Sequence, residues 1–174
     1  MFLSNVLADE SRLYSGIGLE SYYIDQPMSA INYGPSIQIG FKIEFSGSTY
    51  LRFGYGVEFT PMGSDDGGHW VAINNQNIFL GLGLPIYKEE NNCITFEAGG
   101  LYSAWNIAFN ESTSYLIILG GVSGRSIMPF IRIGYQIKGN NDSFGIEFEY
   151  RLGNNKQCPS GMGIYFIKQV YIFK

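Results

Sequence analysis

The stretch "FGIEFEYRLG", residues 144–153, alternates apolar and polar or glycine positions without a break, and this period limits the fold more than any other feature. Phe144, Ile146, Phe148, Tyr150 and Leu152 fall on one side, with Glu147, Glu149 and Arg151 on the other. That spacing belongs to a β-strand, whose successive side chains point to opposite faces. The pattern recurs along the chain. Ile37, Ile39, Phe41, Ile43 and Phe45 oppose Gln38, Gly40, Lys42 and Glu44. Leu51, Phe53, Tyr55, Val57 and Phe59 oppose Arg52, Gly54, Gly56 and Glu58. Segments near residues 13–23, 78–86, 94–102 and 131–138 repeat it, the last two with Glu97 and Arg132 on the polar face. An eighth segment, near 163–173, carries apolar residues on both faces.

The connections add a second regularity. Residues 46–49, 88–92 and 139–142 are short and polar, as hairpin turns are. Those at 25–35, 61–75, about 106–126 and 154–161 are longer, so short and long alternate strictly. Membrane barrels alternate in this way, with short periplasmic turns and longer outer loops. The segment "SYLIILGGVSG", residues 114–124, fits as an extension of the fifth or sixth strand or as a short loop strand. A ninth spanning strand would leave the C-terminus on the wrong side. The expected fold is therefore all-β, an eight-stranded antiparallel up-and-down transmembrane β-barrel over residues 11–174, in the bacterial outer membrane. Residues 1–10 are expected as a flexible N-terminus or a leader remnant, since "VLA" at 6–8 has the form of a cleavage site.

Composition decides which face meets lipid. Charged residues make up 15% of the chain, against roughly 25% in soluble domains, and no apolar run reaches the roughly 20 residues of a spanning helix. Glycines such as Gly40, Gly54, Gly56, Gly134 and Gly145 stand beside the charges and would leave room for them inside a narrow barrel. Lys42, Glu44, Arg52, Glu58, Glu97, Arg132, Glu147, Glu149 and Arg151 are thus expected as a structural network in the lumen. Ion pairing is expected there because an unpaired buried charge is costly. Glu147, Glu149 and Arg151 would pair with Arg52, Arg132, Lys42 or their neighbours. The alternative is a soluble lipocalin-like barrel with the apolar faces inward around an apolar ligand.

Several of these segments resemble the PorT-like family of small outer-membrane β-barrels. Leu84-Pro85 before a short turn and Glu97-Ala98-Gly99 after it match the family's pattern. "LRFGYGVEFTPMGS" at 51–64 and "FEYRLGN" at 148–154 are similar to its third and seventh strands, and "VYIFK" to the aromatic ending of outer-membrane barrels. The resemblance covers most of the chain. It implies a small outer-membrane protein, with some members assisting secretion or gliding machinery.

Little in the chain suggests catalysis. His69 is the single histidine and lies near Ser64, Asp65 and Asp66, which gives a loop-based outer-membrane hydrolase as a further alternative. Such a site needs positioned partners from several strands, and a solvated loop is the plainer reading. No catalytic residue, cofactor or metal is expected, because the Asp spacing supplies too few oxygen ligands. "GLGLP" at 81–85 is followed by neither Lys-Ser/Thr nor a helix, so it is no phosphate loop. The sequon at Asn110 reads as incidental. A net charge of −4 and the lack of a basic run exclude nucleic acid as a partner. The expected partners are outer-membrane lipid and a larger membrane complex such as secretion machinery. Trp70 and Trp105 are expected in an interfacial aromatic girdle, with contact to a partner from a loop as the alternative for Trp70. Cys93 and Cys158 fall at opposite ends of the barrel, roughly 25 Å apart, so no disulfide is expected between them.

Overall fold

The structure, a computed structural model, describes residues 8–24, 30–45, 48–64, 70–113, 116–153 and 160–173. The alternating segments form β1 (Ala8–Ile24), β2 (Ala30–Phe45), β3 (Tyr50–Ser64), β4 (Trp70–Lys88), β5 (Asn92–Thr113), β6 (Leu116–Lys138), β7 (Asp142–Arg151) and β8 (Ser160–Phe173). Each pairs antiparallel with its neighbours in sequence. Pairs such as Ile17 with Phe166 join β1 to β8, and the barrel closes.

Away from the register shifts, parity then assigns the described side chains. On β2 Tyr33, Ile37, Ile39 and Phe41 are among the exposed residues, while Ser36, Gln38 and Lys42 are buried. On β7 Phe144, Ile146, Phe148 and Tyr150 are exposed, while Glu147, Glu149 and Arg151 are buried. A soluble barrel would show the reverse, since exposed apolar side chains and buried charges are both unfavourable in water. The ambiguous last strand obeys the same rule. Met162, Ile164, Phe166 and Val170 face out, and Tyr165, Ile167 and Gln169 face in.

The connections differ from expectation. Much of what the sequence suggests as long loops is strand. Residues 106–126 belong almost wholly to β5 and β6, which stay in register out to Thr113 paired with Leu116. Residues 116–124 extend β6. Similarly, β2 starts at Ala30, β3 runs to Ser64 and β4 starts at Trp70. The difference between the two rims therefore lies mainly in strands that overshoot the apolar wall, and strict alternation of loop length fails between β5 and β6. The cause is physical: backbone pairing continues past the point where lipid stops dictating an apolar face, so strand and loop look alike in composition there. At the N-terminus, β1 starts at Ala8, which brings residues 8–10 into the sheet.

Glycines give the lumen its room at some positions. A Cβ on Gly54 would lie 2.4 Å from the Ile39 carbonyl oxygen and 2.6 Å from the Tyr14 hydroxyl. At Gly56 the nearest atom would be 3.6 Å away, so crowding does not explain that glycine. Pro85, which cannot donate to a ladder, sits at a register shift between β4 and β5, where its missing N–H is tolerated.

Candidate functional site in the barrel lumen

Each strand places its polar face in the lumen, and a run of ion pairs crosses it. Arg52 on β3 reaches Glu147 on β7 and Glu97 on β5, both at 2.8 Å. Glu97 also accepts from Arg132 on β6 at 2.8 Å, and Arg132 continues to Glu149 on β7. Glu149 accepts from Arg151, which in turn holds Glu20 of β1 at 3.0 Å and Glu58 of β3 at 2.5 Å. Charges thus alternate from Glu147 through Arg52, Glu97, Arg132 and Glu149 to Arg151. Each arginine in this run holds two or more carboxylates, so its removal would leave several buried charges short of a partner.

Neutral groups complete the set. The Tyr22 hydroxyl donates to Glu58, and so do Asn75 at 2.9 Å and Asn77 at 2.5 Å. Ser103 donates to Asn75 at 2.5 Å, and Arg151 donates to Tyr22 and Tyr165 at 2.7 and 3.0 Å. Arg132 lies over the rings of Phe79 and Phe130, 4.6 and 4.5 Å from their centroids. Arg52 lies over Tyr14 at 5.0 Å. Such ring faces favour a desolvated cation. The middle of the lumen is filled: Tyr14, Arg52, Phe79, Phe130 and Arg132 are all at most 3% exposed.

A second, smaller group stands at the short-turn rim. Lys42 pairs with Glu44 at 2.9 Å, and Arg12 reaches Glu44 at 3.3 Å and Glu10 at 2.5 Å. Lys42 also lies 4.0 Å from the Tyr50 ring centroid. Of the nine residues expected in the network, the structure buries eight and leaves Glu44 partly exposed at this rim. Lys42 pairs here with Glu44, two residues along its own strand, and not with a β7 carboxylate, although its register partner Arg52 does reach Glu147. Sequence reasoning missed Glu20, Arg12, Tyr14, Tyr22, Tyr165, Asn75 and Asn77. Their parity marks them as inward, but only the closed register shows which charges they meet.

Trp105 corrects another expectation. It is buried inside the barrel with Ile73, Leu101 and Met128, not in an outer girdle. Its odd number on β5 places it with Glu97 and Ser103, and Gly124 leaves space for its ring. Trp70 opens β4, and its side chain lies outside what is described. Cys93 is buried at the short-turn end. His69, Asp65, Asp66 and Cys158 lie outside the described residues, as do residues 1–7.

No family model and no curated protein sequence matches the chain. Solved structures do. Neisserial surface protein A matches with a TM-score of 0.62 and 12% identity, covering 94% of this chain and 98% of its own. Ail, the attachment invasion locus protein of Yersinia pestis, matches at 0.56 with 11% identity, covering 95% and 99%. The fold is that of the small outer-membrane β-barrels. A transmembrane β-barrel designed de novo also matches, at 0.55 with 11% identity, covering 97% of this chain and all of its own. The architecture can therefore exist without any natural activity, and at these identities the likeness carries fold alone.

Proposed function

We propose that this chain is a small bacterial outer-membrane β-barrel with a structural or accessory role and no enzymatic activity. One observation carries the reading: the outer wall is apolar while the lumen is filled by a continuous chain of ion pairs. An apolar wall is stable in lipid, and the described residues fill the lumen so that they leave neither a wide channel nor an apolar ligand cavity among them. The lipocalin-like alternative requires the opposite lining. The strand pairs that overshoot the apolar wall at the long-turn rim present backbone and side chains above a membrane surface. They supply the surface by which a larger membrane complex, such as secretion machinery, would be met. The PorT-like resemblance of residues 51–64, 84–85, 97–99 and 148–154 supports the same placement.

Labelling from outside the cell tests this reading. In a background with Cys93 and Cys158 replaced by Ser, a single cysteine at Asn155, in the connection after β7, is expected to react with a membrane-impermeant maleimide on intact cells. One at Glu90, in the short turn between β4 and β5, is expected to react only after the cells are broken. Equal labelling of both, or recovery of the protein in the soluble fraction, would contradict the reading.

A further inference from the structure

The described outward strand faces carry two cations, Arg125 and Lys168. Lys168 lies toward the short-turn rim, its ammonium 5.1 Å from the Phe144 ring centroid. Lys88 and Lys138 belong to the mouth of that same end, beside Lys42 and Glu44. Arg125 stands alone toward the long-turn rim, exposed, and no carboxylate among the described residues pairs with it.

Arg125 lies in a depression of the outer wall of about 530 Å³, lined also by Asn74, Gln76, Asn106 and Ser123. Register explains the grouping. Asn74, Asn106 and Ser123 form one row across β4, β5 and β6, and Gln76, Ala104 and Arg125 form the next. The following row toward the middle of the barrel is Ile78, Tyr102 and Ile127, where the apolar wall begins. Ile127 is 82% exposed, so that wall is uncovered up to the edge of the depression.

We propose that this depression binds the phosphorylated headgroup of an outer-leaflet glycolipid. The inference rests on the outer-membrane reading, since only there does the long-turn rim meet that leaflet. The guanidinium of Arg125 offers a planar fork of donors that matches a phosphate. The amides of Asn74, Gln76 and Asn106 and the hydroxyl of Ser123 can both donate and accept, as sugar hydroxyls require. Among the described residues, no acidic side chain lines the depression to repel a phosphate. The acyl chains of the same molecule would lie on Ile78, Tyr102 and Ile127, so one ligand meets both rows. A soluble phosphate would use the arginine and leave the apolar row uncovered.

The test uses the full chain folded in detergent micelles, with gel mobility before and after boiling read first. Lipid A, an acylated glucosamine disaccharide bearing two phosphates, is the probe, and its retention on the immobilised barrel is measured. Arg125→Ala is expected to weaken retention about tenfold, the scale of one charge-assisted contact. Arg125→Lys is expected to keep part of it, and Lys168→Ala all of it. Lipid A stripped of phosphate is expected to bind wild type and Arg125→Ala alike. Equal retention by wild type and Arg125→Ala in heat-shifting samples overturns the glycolipid site alone. Equal retention of phosphatidylglycerol and lipid A also overturns it, as would displacement of lipid A by millimolar inorganic phosphate. A chain with no heat shift in any lipid overturns both this site and the membrane reading beneath it.

Discussion

Arg132 touches two carboxylates and two aromatic faces at once, so its replacement removes more than one contact. Arg132→Ala leaves Glu97 with Arg52 alone and Glu149 with Arg151 alone. The expected cost is about 3–5 kcal/mol, the range for breaking a buried pair, read as a lower urea midpoint for the folded barrel in vesicles. Glu20 is the contrasting case. In the chain of pairs Arg52, Arg132 and Arg151 face Glu20, Glu58, Glu97, Glu147 and Glu149, so carboxylates are in excess. Glu20 reaches Arg151 through one oxygen, and its Oε2 has no hydrogen-bond partner among the described residues. Glu20→Gln is therefore expected to change stability by no more than about 1 kcal/mol. Equal losses for the two variants would show that the chain of pairs does not act as described. Glycines supply a second comparison. Gly54→Ala is expected to cost about 1–3 kcal/mol through overpacking, whereas Gly56→Ala should be neutral within about 0.5 kcal/mol. The same urea titration separates them.

At the scale of the element, the turns and strand ends tell most. Ser48 adopts a φ of 69° beside the bond from Thr49 to β2, in which the Phe45 N–H donates to the Thr49 carbonyl at 2.8 Å. A left-handed conformation costs a non-glycine residue roughly 1–2 kcal/mol. Ser48→Gly is thus expected to raise stability by about 1 kcal/mol, seen as a higher midpoint with an unchanged urea slope; a lower midpoint would show that the serine side chain matters more than its backbone. Strand identity and facing were legible in the sequence because lipid demands an apolar side chain at every second position, as at Ile37, Ile39 and Phe41. Strand ends were not. Above the apolar wall β5 and β6 continue through Asn106 and Ser123, polar residues that still pair in register. Backbone hydrogen bonding leaves no mark in composition there, so these residues read as loop.

For the whole molecule, closure determines what the sequence could not show. Parity placed Glu147, Glu149 and Arg151 inside, but not the meeting of Arg151 with Glu20 across the seam between the first and last strands. That contact depends on the barrel's circumference and stagger, which no single strand encodes. Trp105 shows the same limit, since a tryptophan near a strand end suits a membrane interface or a lumen equally until its parity is tied to Glu97. The lumen network touches strands all around the ring, with Gln38 on β2 joined to Arg132 at 3.3 Å and Asn75 on β4 joined to Glu58. The barrel is thus braced from within by charge while its outside is left to lipid.

The most direct measurement of that inversion is collision accessibility of spin labels on single cysteines at Ile39, Leu82 and Phe148, outward positions on three different strands, in reconstituted bilayers. Oxygen dissolved in the hydrocarbon should relax all three labels strongly, and an aqueous nickel chelate should barely reach them. Ready access by the chelate together with weak access by oxygen would place these faces in water or in a protein core, and would contradict the membrane barrel.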